Sequence, residues 1–335
     1  MGKQFTPDQH ILRTLVSTYL DICHSDVMEK RRQAWTRLNS LKQTRPLIYL
    51  RGGNMWREVP DISRRECEDP FLHQVEWNLR KDLYIAGLED DTVFEPWLTC
   101  RAVFAHAGWG LETGRRMVDE AGGSWKEDYP IRSCDDVRKM IMPQHLIDEK
   151  ATQRRLGILQ EAVGDLIEID LDRTPFYTMW EGDLSTSLGH LRGIETIMMD
   201  MYDHPEWLHS LISFMSEGVT ATHAQAEKAG DWGRSSGMNQ AMPYAEELAP
   251  PKANERGVKR FELWGYMAAQ EFTLISPEMH DEFLLRYQVP ILEQFGLSAY
   301  GCCEDLSRKI GILRKIRNLR RIAVAPLADI ERCSE

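Results

Sequence analysis

Two thiols and two carboxylates stand side by side near the end of this chain. An apolar run, residues 295–300, is followed after one glycine by Cys302, Cys303, Glu304 and Asp305. The run predicts a buried strand, and the polar residues lie where that strand gives way to a helix. In parallel α/β folds the loops leaving the strand C-termini converge on one rim, where catalytic groups gather. The sequence therefore predicts an enzyme with a metal or thiol centre here.

Thiolates beside a carboxylate suit a borderline-soft cation such as zinc. We expect Cys302, Cys303 and Glu304 to be the ligands, and His106 is a spare candidate near the end of another strand-like segment. The competing interpretation is a pair of partly buried thiols without a metal, because cysteine is among the most buried residue types.

Composition limits the possible partners. The chain has 335 residues, 42% of them hydrophobic, which is enough for one large or two smaller domains. Its net charge of −11 argues against nucleic acid or an anionic membrane as a partner. Seven scattered cysteines and the lack of an apolar leader or membrane span favour a reduced, cytoplasmic protein.

Short apolar strands alternate with helices, a pattern typical of a parallel α/β fold. Helical periodicity over residues 8–43 predicts an N-terminal helical layer, with Trp35 and Leu38 docking it onto the body. Further helices are expected from Pro205, from Ser276 and over 306–316. Strand-like segments are predicted at 45–50, 92–98, 165–170, 175–180, 261–267, 297–301 and 321–325.

Aromatic and acidic residues follow several of these strands. Trp180, Trp264 and Tyr266 lie at predicted strand ends and would form the walls of a pocket. Glu181 and Glu271 are candidate pocket acids. The alternative for such acids is a solvated or helix-capping role, with Asp183 as a cap before the following helix.

Three segments resemble the uroporphyrinogen decarboxylase superfamily: residues 180–184 (WEGDL), 191–195 (LRGIE) and 274–280 (LISPEMH). The strand before Cys302 resembles it too, and the likeness runs from about Arg45 to the C-terminus. The resemblance implies a TIM (β/α)8 barrel over residues 45–335, preceded by a helical extension over 1–44. A barrel ending at residue 335 would lack its last strand–helix unit.

The resemblance implies one of two activities. The haem-pathway decarboxylases need no cofactor and hold the substrate carboxylates with an arginine-rich loop after the first strand. Arg51 and Arg57 occupy that loop here, and two arginines are few for a substrate with so many carboxylates. The other branch contains zinc-dependent methyltransferases that act with a corrinoid.

We therefore expect a zinc-dependent methyltransferase that moves a methyl group between a small methylated substrate and a corrinoid on a partner protein. Zinc would bind a thiol acceptor or polarise the leaving atom. One alternative is a carboxy-lyase resembling uroporphyrinogen decarboxylase, which acts on a tetrapyrrole through Arg51 and Arg57. The other is a barrel that binds a corrinoid or porphyrin without turnover.

The metal motif departs from the family pattern at one position. The methyltransferase branch carries a His-x-Cys pair at the end of a late strand, and Tyr300 stands here in place of the histidine. Cys302 alone matches. Cys303 and Glu304 are our suggested substitutes for the missing ligand.

Overall fold

A computed structural model describes residues 4–105, 108–117 and 125–334. The fold mixes helix and strand, with 48% of the residues helical and 11% in strands. The chain divides into two compact units. Unit 1 comprises Met1–Val103, Ile147–Arg173 and Gly233–Arg256, and unit 2 comprises Phe104–Leu146, Thr174–Trp232 and Gly257–Glu335.

The helices of unit 1 are α1 (Pro7–Cys23), α2 (Asp26–Asn39), α3 (Pro60–Ser63), α4 (Pro70–Gly87) and α5 (Glu149–Val163). Those of unit 2 are α6 (Ser185–Arg192), α7 (Ile194–Asp203), α8 (Pro205–Ala229), α9 (Pro277–His280), α10 (Arg286–Leu292), α11 (Ile310–Leu313) and α12 (Ile330–Ser334). The strands are β1 (Trp97–Arg101), β2 (Gly114–Met117), β3 (Trp125–Asp128), β4 (Glu168–Asp172), β5 (Trp264–Met267), β6 (Leu297–Tyr300) and β7 (Leu319–Ile322).

Unit 1 packs its helices around a parallel pair of strands, β1 and β4. The predicted N-terminal helices form as α1 and α2. Trp35 is buried in this core and donates from its indole Nε1 to the Asp91 carbonyl at 2.7 Å. Leu38 does not dock, because it lies 37% exposed on α2.

Residues 45–50 do not form the predicted strand. The backbone amides of Ile48 and Leu50 donate to the carboxylates of Asp91 and Asp90, each at 2.8 Å. Side-chain oxygens therefore take the place that a neighbouring strand would occupy. Apolar composition predicted an extended segment but could not reveal this bonding.

Unit 2 contains a three-stranded parallel sheet in the order β5–β6–β7. Helices α9 and α10 connect β5 to β6, and α11 connects β6 to β7, so the predicted strand–helix alternation is confirmed in this part of the chain. The long helix α8 begins at Pro205 as predicted, because proline is favourable in the first helical turn. Strands β2 and β3 form a separate antiparallel pair.

Other predictions for unit 2 need correction. Residues 179–181 form a 3₁₀ turn in place of the end of a strand, and the helix expected over 306–316 is reduced to α11. The described strands form sheets of two and three strands without closing a barrel. In the ranges that the structure describes, no helix is long and apolar enough to cross a membrane.

Candidate functional site

The candidate site lies in unit 2, where the loops after β5 and β6 leave the C-terminal edge of the parallel sheet. The amide of Gly301 donates to the Met267 carbonyl at 2.9 Å, which joins the two loops at their origin. Gly301 has a φ of +93°, and a Cβ there would lie 2.7 Å from the Leu306 side chain. Only glycine fits this turn without strain.

Glu304 points into the protein. Its carboxylate has no exposed surface and accepts from the amides of Ala269 and Cys302, both at 2.8 Å. One side chain thus connects the loop after β5 to the loop after β6. Each carboxylate oxygen accepts one backbone hydrogen bond, so Glu304 is a structural acceptor that both loops share.

The two thiols face outward from the same loop. The Sγ atoms of Cys302 and Cys303 are 3.5 Å apart, with Cys302 half-buried and Cys303 exposed. Partial burial and the neighbouring Cys302 raise the pKa of the Cys303 thiol to about 11. Among the residues that the structure describes, no three or more histidine, cysteine or acidic side chains are grouped to hold a metal ion. Zinc at Cys302 and Cys303 therefore stays a prediction from the resemblance.

Lys309 is the cation of this site. Only 2% of its surface is exposed, and its Nζ donates to the Phe272 carbonyl at 2.6 Å. Burial lowers the pKa of this ammonium to about 8, against the opposing pull of Glu304 and Asp305.

Glu271 is half-buried at the end of the loop after β5. Ser185, the first residue of α6, donates from its hydroxyl to Oε2 of Glu271. A Cβ at Gly189, one turn further along α6, would lie 2.7 Å from Cγ of Glu271. The hydroxyl holds the carboxylate, and the glycine leaves space for the side chain.

A cavity of about 350 Å³ opens beside Glu271. Its walls combine strand β3, the start of α7 and one face of α6. The lining residues are Trp125, Lys126, Glu127, Tyr129, Thr186, Gly189, His190, Ile194 and Glu271. The volume is at the lower end of ligand pockets, which span roughly 300–1,000 Å³.

Asp183 lies buried behind the cavity and caps α6. Its carboxylate accepts from the Thr186 amide at 2.8 Å and from the Thr186 hydroxyl at 2.9 Å, so the capping interpretation is confirmed. Burial raises the pKa of Asp183 well above its usual range, and the charges of Glu271 and Glu304 raise it further. Three carboxyl groups therefore share this region.

A chain of buried hydrogen bonds connects strand β6 to the residues around the site. The Tyr300 hydroxyl donates to Oε1 of Gln288 at 2.6 Å and lies 2.9 Å from Nε2 of His280. The Gln288 amide donates to the carbonyls of Asp183 and Ala268, at 2.6 and 2.9 Å. Because the Tyr300 hydroxyl donates its proton to Gln288, Nε2 of His280 must carry a proton and donate it to the Tyr300 oxygen. Burial, together with the nearby charge of Lys309, lowers the pKa of His280 to about 3.

The predicted aromatic walls form a separate group that does not line the cavity. Trp180 and Tyr266 make an edge-to-face contact with ring centres 5.8 Å apart. The Arg321 guanidinium lies 5.2 Å from the centre of the Trp264 ring. Burial lowers the pKa of Arg321 to about 10.

Three predicted residues lie elsewhere. Glu181 is exposed on the 3₁₀ turn of residues 179–181. Arg51 and Arg57 belong to unit 1, where both are exposed and Arg51 donates to the Met238 carbonyl at 3.0 Å. His106 lies outside the described residues.

Gln288 and Lys309 belong to the site although neither was predicted, and the spacing of apolar residues around each of them carried a signal. Gln288 stands four residues from both Leu284 and Leu292, which are buried. Lys309 stands between Leu306 and Leu313, at spacings of three and four. A polar residue in register with a buried face is itself buried.

The chain was compared with protein-family models, with curated proteins and with solved structures, and none of them matched.

Proposed function

We propose that the chain is a methyltransferase whose substrate is a small methylated ammonium ion, bound in the cavity beside Glu271. The methyl acceptor is the cobalt of a corrinoid on a partner protein. The placement of Glu271 carries the proposal, because it puts a carboxylate into a small cavity with aromatic walls. The resemblance to corrinoid-linked methyltransferases supports the reaction class.

The cavity has the chemistry of a cation site. Trp125 and Tyr129 line the cavity, and aromatic side chains attract quaternary ammonium groups. Trp125 already makes such a contact, with the Arg115 guanidinium 4.3 Å from its ring centre. Glu127 is occupied by His190 at 2.8 Å, whereas Oε1 of Glu271 has no partner among the described residues. Glu271 is therefore the available anion.

Such a substrate needs neither an acid nor a metal to release its methyl group. When the N–CH₃ bond breaks, its electron pair stays on nitrogen and a neutral amine departs. A reduced corrinoid supplies the electron pair that forms the new bond to the methyl carbon. Glu271 binds and orients the cation, and positioning provides most of the rate.

The cavity does not favour the tetrapyrrole lyase. Its volume of about 350 Å³ suits a small ligand, and Lys126 is the single lysine or arginine among its lining residues. A substrate with many carboxylates needs several placed cations. A corrinoid is too large for a cavity of this volume, so it would remain on its carrier protein outside the cavity.

We also propose that the (β/α)8 barrel expected from the sequence is the scaffold of this methyltransferase. Within unit 2, the parallel pairing of β5 with β6 and of β6 with β7 supports it, as do the helices between these strands. In that fold, ligands bind at the C-terminal ends of the strands.

Replacing Glu271 by glutamine tests the function. We expect the wild-type protein to convert tetramethylammonium and reduced cobalamin, used in place of the carrier-bound corrinoid, to trimethylamine and methylcobalamin. E271Q keeps the shape and removes the charge, so we expect KM for tetramethylammonium to rise roughly 10- to 100-fold with a smaller change in kcat. Methylcobalamin absorbance gives both constants.

The matched control is E181Q, which removes an exposed carboxylate of the same unit and should leave both constants unchanged. Wild-type protein that transfers no methyl group from tetramethylammonium would contradict the proposal. Decarboxylation of uroporphyrinogen would then indicate the lyase, and cobalamin binding without turnover would indicate the non-catalytic barrel.

A further inference from the structure

We propose that Cys302 and Cys303 form a two-sulfur binding site for a trivalent arsenical, a centre that bonds to both thiols and keeps one substituent of its own. The site does not depend on the proposed methyltransferase function. It rests on the separation of the two sulfur atoms, on the exposure of Cys303 and on the set of donors around the pair.

The sulfur separation sets the bond angle at a shared atom. Sulfur atoms 3.5 Å apart, with bonds of about 2.3 Å as in metal thiolates, meet at a central atom with an angle of about 100°. That angle suits the three-bonded pyramid of a trivalent atom with a lone pair. It does not suit a linear two-coordinate ion, which needs sulfurs on opposite sides.

The number of donors favours the same class. Tetrahedral zinc needs four ligands, and no group of three or more metal-ligating side chains occurs in the described ranges. Glu304, the nearest acid in sequence, already accepts two backbone hydrogen bonds. A trivalent arsenical needs only two sulfurs from the protein, because its third bond is to its own group.

A direct disulfide is the less favourable product of this pair. Consecutive Cα atoms are about 3.8 Å apart across a trans peptide bond, whereas disulfides usually join Cα atoms about 4.4–6.8 Å apart. An arsenic atom between the two sulfurs can bond to both at their present separation of 3.5 Å, so the two Cα atoms need not move apart. The hydrogen bond from the Cys302 amide to Glu304 holds the loop in this conformation.

The reaction with phenylarsine oxide balances without an oxidant. Two As–S bonds form, the bond from arsenic to oxygen breaks, and the two thiol protons leave with that oxygen as one water molecule. Arsenic stays trivalent and the sulfurs are not oxidised. The exposed Cys303 makes the first attack accessible, and the half-buried Cys302 closes the chelate.

Intact-mass spectrometry after treatment with phenylarsine oxide tests the proposal. We expect one arsenical per wild-type chain, retained through a wash with glutathione and released by 2,3-dimercaptopropanol, because only a dithiol competes with a chelate. C302S and C303S should each lose at least nine-tenths of the retained adduct. C333S, which removes a half-buried thiol elsewhere in unit 2, should behave as wild type.

Three results would overturn the proposal. One is release of the arsenical from wild type by glutathione, and another is full retention in either single variant. The third is one zinc ion per chain that survives dialysis and prevents the reaction, since that would reveal further ligands. C303S changes an exposed side chain, so its result stands even if C302S folds poorly, which circular dichroism will show.

Discussion

Replacing Glu304 by alanine lowers the free energy of unfolding by about 3–5 kcal/mol, the range measured when one partner of a buried charged network is removed. The variant leaves two amides, of the buried Ala269 and the half-buried Cys302, without their acceptor. It also removes the carboxylate whose charge acts most strongly on the buried Lys309 ammonium. Urea denaturation followed by fluorescence measures the change.

Two companion variants separate this explanation from a general effect of lost charge. E304Q keeps one acceptor oxygen and should recover part of the lost stability, because one of the two amides regains a partner. E181A removes an exposed carboxylate and should change the free energy of unfolding by less than about 0.5 kcal/mol. An E304A protein as stable as E181A would contradict the buried role of Glu304.

Acidification between pH 6 and 4.5 reduces the contribution that His280 makes to the stability of the folded protein. The pKa of His280 is about 3 in the folded chain, against about 6.5 in an unfolded one. Between these values the unfolded chain binds a proton that the folded chain does not. Stability therefore falls as the pH falls, by about 1.4 kcal/mol per pH unit for this group.

The H280Q variant isolates this contribution. Glutamine can still donate to the Tyr300 hydroxyl but does not titrate, so the slope of stability against pH should be shallower by about 1.4 kcal/mol per unit. His223 keeps its own effect in both proteins, because burial lowers its pKa to about 4. Equal slopes for wild type and H280Q in urea denaturation would show that His280 is not held neutral in the folded state.

Local sequence patterns predicted the elements that are stabilised within themselves. Helix α8 begins at Pro205 as expected, and its buried face repeats at spacings of three and four. The apolar run before Cys302 forms strand β6, fully buried. The strand predicted for residues 45–50 was wrong, because backbone amides of this segment donate to the carboxylates of Asp90 and Asp91, about forty residues further along the chain.

The strand before Cys302 was predicted, but the contacts of the loop that follows it were not. The apolar run forms β6, and Cys302, Cys303 and Glu304 follow it at the edge of the parallel sheet. The inward turn of Glu304 depends on Ala269, a residue of a different loop. Contacts between residues so far apart in the sequence cannot be predicted from the spacing of neighbouring residues.

The surroundings of Glu271 also depend on residues that are distant in the sequence. Its position after β5 made it a candidate acid, and the structure places it beside a cavity. The space it occupies exists because residue 189 is glycine, and its hydroxyl partner is Ser185. Both lie on α6, more than eighty residues earlier, so the cavity could not be predicted from the sequence around Glu271.

The most direct test of the central claim is a calorimetric comparison of tetramethylammonium with neopentyl alcohol, a neutral molecule of similar shape. We predict that the wild-type protein binds the cation at least tenfold more tightly. G189A, whose added Cβ displaces Glu271, should lose that preference, while G157A, which enters open space on α5, should keep it. Equal affinity of the wild-type protein for the two ligands, or an undiminished preference in G189A, would contradict a methylated-ammonium site at Glu271.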